Sequence, residues 1–312
     1  MNIVKLRYAD MPLFVEVASV VSGYSLESAV NLNGTLRSNS SLFGDNLSLG
    51  ASGRFTDRPT ITYAPITGAK FNKSFLQPLP PKAILFLLQS GWAVDMVLPI
   101  TVSALNGHRS RIAGGRSKRS GDPEFYRAIY LLRKLQKSGA VEMRILEDGN
   151  QEEVPILFFY RKNSPQEVID AIEEFNLLLG LNPLNDELEV TYGFLPKTDH
   201  ELAMVTRSML QLMIEIATQI EVPPEHIEQK RTIPTEIEPD SEEKKIGYLT
   251  YIHSSIDRPE DAFVKIKFKD HWFWIDDRDF LSKRTFTFLM TIFSLTETGG
   301  KEGLPLVTIP AG

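Results

Sequence analysis

Apolar and polar residues alternate strictly along two stretches near the start of the chain. In the first, Leu26, Ser28, Val30, Leu32, Gly34 and Leu36 fall on one face and Glu27, Asn31, Asn33 and Thr35 on the other. In the second, Leu47, Leu49, Ala51, Gly53 and Phe55 alternate with Ser48, Ser52, Arg54 and Thr56. A period of two is that of a half-buried strand. With the polar stretch from Arg37 to Asn46 between them, the two segments predict a long amphipathic antiparallel hairpin. Phe14, Val15, Val17, Val20 and Val21 add strand-favouring residues upstream. Met1 to Asp10, where Ile3, Val4 and Leu6 mix with Lys5 and Arg7, predicts one strand more.

Pro78, Pro80 and Pro81 end this sheet region, and the period then lengthens. Lys82 to Gln89 and Val94 to Leu105 predict a helical pair around Gly91. Asp122 with Pro123 at the first helical position starts a helix through Lys137, which Gly139 stops. Strands follow at Val141 to Leu146 and Val154 to Tyr160. Ser164 with Glu167, and Thr198 with Glu201, have capping-box spacing. The first precedes a helix ending near Gly180, the second a helix carrying Leu202, Val205, Met209, Leu212, Met213, Ile216 and Ile220. Methionines at that spacing are core filler.

From Val222 to Lys245 prolines and acidic residues dominate, which predicts a linker over 230–245. Beyond it, Phe263 to Phe268 and His271 to Ile275 alternate around Lys269 and Asp270 as a hairpin. Asp276 would then cap an apolar helix from Asp277 to Thr296, and Leu306 to Ile309 would close with a strand. The expected architecture is α+β. An N-terminal antiparallel region with the long hairpin and central helices with short strands form a main domain over 1–229; a ββαβ unit occupies 246–312.

Composition narrows the chemistry. Of 312 residues, 42% are hydrophobic, enough for a large core, and the net charge of −6 is mild. Without cysteine there is no thiolate nucleophile, disulfide or cysteine-ligated metal centre. Gly91, Asp95 and Pro99 interrupt the apolar stretch Ala83 to Leu105, and Thr285 to Thr296 is too short to span a bilayer. The start of the chain lacks the apolar run of a secretory signal. No GxGxxG, GxxxxGK[ST], GxSxG or HExxH pattern occurs, and the histidines are scattered, so no cofactor is expected.

Three sets of residues remain as candidates. The apolar hairpin face, Leu26, Val30, Leu32, Leu36, Leu47, Leu49 and Phe55, suits contact with another subunit or a membrane. Arg109, Arg111, Arg116, Lys118 and Arg119 lie in the one strongly basic stretch and suit an anion. The helix and two strands of 108–160 also have the order of a winged helix, which makes nucleic acid an alternative partner. Asp276, Asp277 and Asp279 follow Trp272, Phe273 and Trp274; closely spaced carboxylates there would hold Mg²⁺ in a metal-dependent enzyme. They equally suit a helix N-terminus, with Asp276 as cap and Asp279 at the third helical position.

The strings HWFWIDDRDFLSKRTFTFLM, from His271 to Met290, and FTDRPTITYAPITG, from Phe55 to Gly68, resemble segments of a widespread group of uncharacterised bacterial proteins. Members of that group often look like envelope lipoproteins, whose signal and acylated cysteine precede the region matching Val4 onward. The resemblance implies a periplasmic-side location if such a leader precedes this chain, and a cytoplasmic one otherwise; it carries no activity and no functional residue. The combined expectation is a non-enzymatic binding or assembly protein of the cell envelope, self-associating through the 25–56 hairpin. Its expected partners are itself or another envelope protein, with a membrane reached through the hairpin or a lipid anchor.

Overall fold

The computed structural model describes residues 1–21, 24–35, 46–57, 60–111, 120–147, 153–235 and 250–297. It is an α+β structure of antiparallel sheets and helices. Two compact units divide it: one comprises Met1–Pro12 and Thr67–Gly299, and the other contains Leu13–Ile66.

The Leu13–Ile66 unit is built from two-stranded antiparallel pairs. Strands β1 (Val15–Val21) and β4 (Thr60–Pro65) pair with Val15 opposite Pro65, Val17 opposite Tyr63 and Val21 opposite Thr60, with a bulge after Val17. Strands β2 (Tyr24–Thr35) and β3 (Asn46–Asp57) pair along their whole length. Leu26 lies opposite Phe55, Val30 opposite Ala51, Leu32 opposite Leu49 and Gly34 opposite Leu47, the register that the alternation predicts. Twelve residues per strand at about 3.3 Å each give this pair a length of about 40 Å. Leu36 and the connecting stretch lie outside the described residues.

The larger unit opens with α1 (Asn2–Arg7), where the alternation of Ile3, Val4 and Leu6 had suggested a strand. Ile3, Val4, Arg7 and Tyr8 recur at helical spacing and are buried, and α1 packs against α7 (Met209–Ala217). That contact outweighs the β-propensity of so short a segment. A short helical stretch, α2 (Gly68–Phe71) and a π-turn Asn72–Leu76, leads to α3 (Pro81–Gln89) and α4 (Val94–Thr101). The helix expected over Val94 to Leu105 ends at Thr101, and Val102–Leu105 continues as strand β5. Pro99 stands in the last turn of α4, and the β-branched residues after it favour extension.

A six-stranded sheet forms the centre, in the order β6 (His108–Arg109), β5, β10 (Glu201–Thr206), β9 (Glu187–Tyr192), β8 (Glu153–Phe159), β7 (Val141–Glu147). All neighbours are antiparallel except β9 and β10. The helix expected after Thr198 is therefore partly strand. Glu201 to Met204 is buried without interruption, a pattern that a fully covered strand shares with a buried helix. Glu201 does not close a capping box: its carboxylate accepts from the Thr191 hydroxyl and from the Lys197 amide at 2.8 Å, which hold it below the usual carboxylate range. The box forms instead at α7, where Ser208 accepts from the Gln211 amide and Gln211 from the Ser208 amide. The box expected at Ser164 is also absent; its hydroxyl donates to the Tyr160 carbonyl, and α6 (Gln166–Leu178) starts after Pro165.

The helix α5 (Pro123–Ser138) ends on Gly139 in the left-handed region, as its sequence predicts. It buries Phe125, Ala128, Ile129, Leu131, Leu132 and Leu135. The following β7 and β8 are the edge of the six-stranded sheet, so α5 and its hairpin do not form a free-standing winged helix. Three cations of α5 are engaged elsewhere: Arg127 with Glu174 at 2.7 Å, Arg133 with Asp95 at 3.2 Å, Lys134 with Glu167 at 2.5 Å.

After α8 (Pro224–Glu228), most of the proline-rich stretch lies outside the described residues. Strands β11 (His253–Ser255), β12 (Ala262–Phe268) and β13 (His271–Asp276) then form a three-stranded sheet in the order β11-β13-β12. Lys269 and Asp270, both at positive φ, make the turn between β12 and β13 that the sequence predicts. The last described helix, α9 (Phe280–Glu297), sets Phe288 against Trp92, with ring centroids 5.0 Å apart. Ile252 bridges to Ile220, so these strands and α9 belong to the larger unit. Phe75, Phe125, Phe159, Phe175, Phe273 and Phe288 are its largest fully buried side chains, each stabilising by about 2 kcal/mol. The strand expected at Leu306 to Ile309 lies outside the described residues.

Candidate functional site

One end of the six-stranded sheet carries a cavity of about 440 Å³. Its construction starts at the β5–β6 turn, Asn106-Gly107, where both residues have positive φ. Asn106 anchors the turn: its amide nitrogen donates to the Leu179 carbonyl at 3.0 Å, and its oxygen accepts from the Ala203 amide at 2.7 Å. Gly107 is required by its φ of 88°; a Cβ there would also crowd the Leu195 side chain, at 3.0 Å. The turn delivers Arg109 and Arg111 to the cavity. Asp122 then pins Arg109, since its carboxylate accepts from the Arg109 amide at 2.7 Å while its own amide donates to the Arg109 carbonyl. The Arg111 amide donates to the Tyr126 hydroxyl at 3.0 Å. Gly121 allows this approach; a Cβ there would lie 2.6 Å from both Arg111 and Tyr126.

The opposite wall is α7, with Gln211, Ile214 and Glu215. Arg111 and Glu215 form a buried ion pair at 2.9 Å, each 11% exposed. Arg207, between β10 and α7, is 7% exposed. It donates to the carbonyls of Pro99, Ile100 and Val102 at 2.7–2.9 Å and to the Ser110 hydroxyl at 2.6 Å, which closes the C-terminal end of α4. Burial pushes its guanidinium below the ordinary arginine value. Arg109 is exposed, and its guanidinium stands 4.6 Å from the centre of the Phe194 ring.

The candidates from the sequence fare differently. Arg109 and Arg111 meet in this cavity, whereas Arg116, Lys118 and Arg119 lie outside the described residues. Arg207, Glu215 and Phe194 were missed, since none belongs to a motif or a charge run. The aspartate trio is divided among three jobs. Asp279, and not Asp276, is the cap of α9: it accepts from the Ser282 amide at 3.0 Å and its hydroxyl at 2.5 Å. Asp276 accepts from the Arg278 amide and side chain, which hold its carboxyl below the usual range, and Asp277 pairs with Lys283 at 2.8 Å. The helix therefore begins at Phe280, three residues later than the sequence suggested. Among the described residues, no group of three His, Asp or Glu side chains is placed to hold a metal ion, and no helix is long and apolar enough to cross a membrane.

A second polar cluster gathers two of the scattered histidines. His226 and His271 lie with ring centroids 4.8 Å apart; Tyr8 Oη is 2.7 Å from His226 Nδ1, and His271 Nε2 is 3.0 Å from Glu225. Burial, then the neighbouring His271 and Arg231, lowers the pKa of His226, and burial pushes the Tyr8 hydroxyl up to about 12.

On the ribbon, Val15, Val17, Ile61 and Tyr63 are between 45% and 59% exposed. Among the described residues no third strand pairs with either edge of β1–β4 or β2–β3. Comparison of the chain with protein-family models, with curated proteins and with solved structures returned no match.

Proposed function

We propose that this is a non-enzymatic assembly protein whose copies join through the β1–β4 ribbon. The observation that carries the reading is a two-stranded element with apolar side chains exposed along it and, among the described residues, no further strand on either edge. A lone antiparallel pair is marginal in water, and its unpaired edges present a row of N–H and C=O groups to any strand of matching length. A second copy supplies such a strand with an identical alternation, so pairing extends the sheet and covers Val15, Val17, Ile61 and Tyr63 together. The cell envelope is the setting that the sequence resemblance implies. The paired cations of α5 leave nucleic acid as the weaker reading.

Size-exclusion chromatography with light scattering on the full chain tests this. Self-association is expected at micromolar protein, and Val17→Asp with Tyr63→Asp should shift it towards monomer while leaving tryptophan fluorescence unchanged. A monomeric parent, or association indifferent to both substitutions, would contradict the reading.

A further inference from the structure

We infer that the cavity lined by Arg109, Arg111 and Arg207 is a binding site for a small organic anion, an oxyanion head group carried on a short apolar body. Its volume of about 440 Å³ falls within the range of small-molecule sites, about 300–1,000 Å³. Its charge is unbalanced. Among the described residues, three guanidiniums line it and one carboxylate, Glu215, which is already bound to Arg111. Among the described residues Arg207 is bonded to carbonyls and a hydroxyl and to no carboxylate, so its buried charge is offset only by the end of the α4 dipole and by Glu215, which Arg111 already holds. Arg109 makes no carboxylate contact among the described residues and rests on Phe194. Buried charges are normally paired, and guanidinium forks match carboxylate and phosphate oxygens two at a time. An oxyanion between Arg109 and Arg207 supplies the missing partner.

The remaining lining explains the body. Ala104, Val205 and Ile214 are apolar, and the Phe194 ring offers a face, so a bare inorganic ion would leave this surface unused. Backbone restraint keeps the site formed without ligand: Asp122 fixes Arg109, and the Ser103 hydroxyl is tied to the Val205 carbonyl at 3.1 Å. A pre-formed cavity spends little binding energy on ordering itself.

Calorimetry on the full chain, with benzoate, phenyl phosphate, inorganic phosphate and benzyl alcohol as probes, tests the inference. Benzoate or phenyl phosphate should bind more tightly than inorganic phosphate or benzyl alcohol, and the better of the two identifies the head group. The affinity should fall with added salt, and Arg109→Gln should weaken it about tenfold, the loss of one charge-assisted contact. Because Arg109 is exposed, that variant should melt with the parent when no ligand is present. The inference is overturned if neither aromatic anion binds at millimolar concentration, if benzyl alcohol or inorganic phosphate binds as well as they do, or if Arg109→Gln binds like the parent.

Discussion

Replacing Arg207 with methionine tests whether this side chain holds the sheet, α4 and the cavity together. The substitution keeps the unbranched bulk and removes the donors to Pro99, Ile100 and Val102. Two of those carbonyls, Pro99 and Ile100, stand in the last turn of α4, where no intrahelical amide reaches them. A buried acceptor left unpaired costs about 1–3 kcal/mol, so three of them put the gross loss at about 3–9 kcal/mol. Against that stands the desolvation of the guanidinium, which the methionine avoids. Because the bonded partners of Arg207 are neutral, the substitution strands no charge, and the net loss expected is at the low end of that range, about 3 kcal/mol. Urea unfolding followed by tryptophan fluorescence reads it directly, because Trp92, Trp272 and Trp274 all lie in the larger unit. Arg207→Lys should fall between parent and methionine, since an ammonium cannot reproduce the fork. A loss under about 1 kcal/mol in the methionine variant would refute the account of Arg207 as the group that closes α4.

Two further outcomes follow from the described geometry. Asp279→Ala should lower stability by about 1 kcal/mol through loss of the α9 cap, whereas Asp277→Ala, whose partner is at the surface, should stay within about 0.5 kcal/mol of the parent; equal effects in urea unfolding would contradict that assignment. Stability should also fall at both ends of the pH scale. Below about 6.5 the unfolded chain takes up a proton that folded His226 resists, so stability drops with falling pH. Above about 10 the unfolded chain releases the Tyr8 proton that the fold retains to about 12, so stability drops again, by about 2 kcal/mol near pH 12. Tyr8→Phe should shrink the alkaline loss, and a pH profile identical to the parent's would contradict this origin.

What the sequence made legible follows from the physics of each element. The β2–β3 register was readable because strict alternation leaves one pairing that keeps Leu26, Val30 and Leu32 on a common face. The α5 boundaries were readable from Pro123 and Gly139, and the β12–β13 turn from two polar residues between alternating runs. Strand β10 was not, because a strand covered on both faces loses the alternation that distinguishes it from a helix. The cavity was half visible. Arg109 and Arg111 stood out in a basic run, but Arg207 and Glu215 become their neighbours only through the pairing of β10 with β5. An isolated charge in an apolar stretch carries no such message until the strand order is known.

The central claim is that the ribbon joins copies of the chain, and removing it is the most direct test. Deleting Val15 to Pro65 and closing the gap with a short Gly-Ser link takes away β1–β4 together with β2–β3 and leaves every tryptophan in place. Light scattering should then report a monomer where the intact chain associates, with the tryptophan unfolding transition of the larger unit unchanged. An intact chain that is already monomeric, or a deletion that abolishes that transition, would show that the ribbon is ordinary sheet and that assembly is not its role.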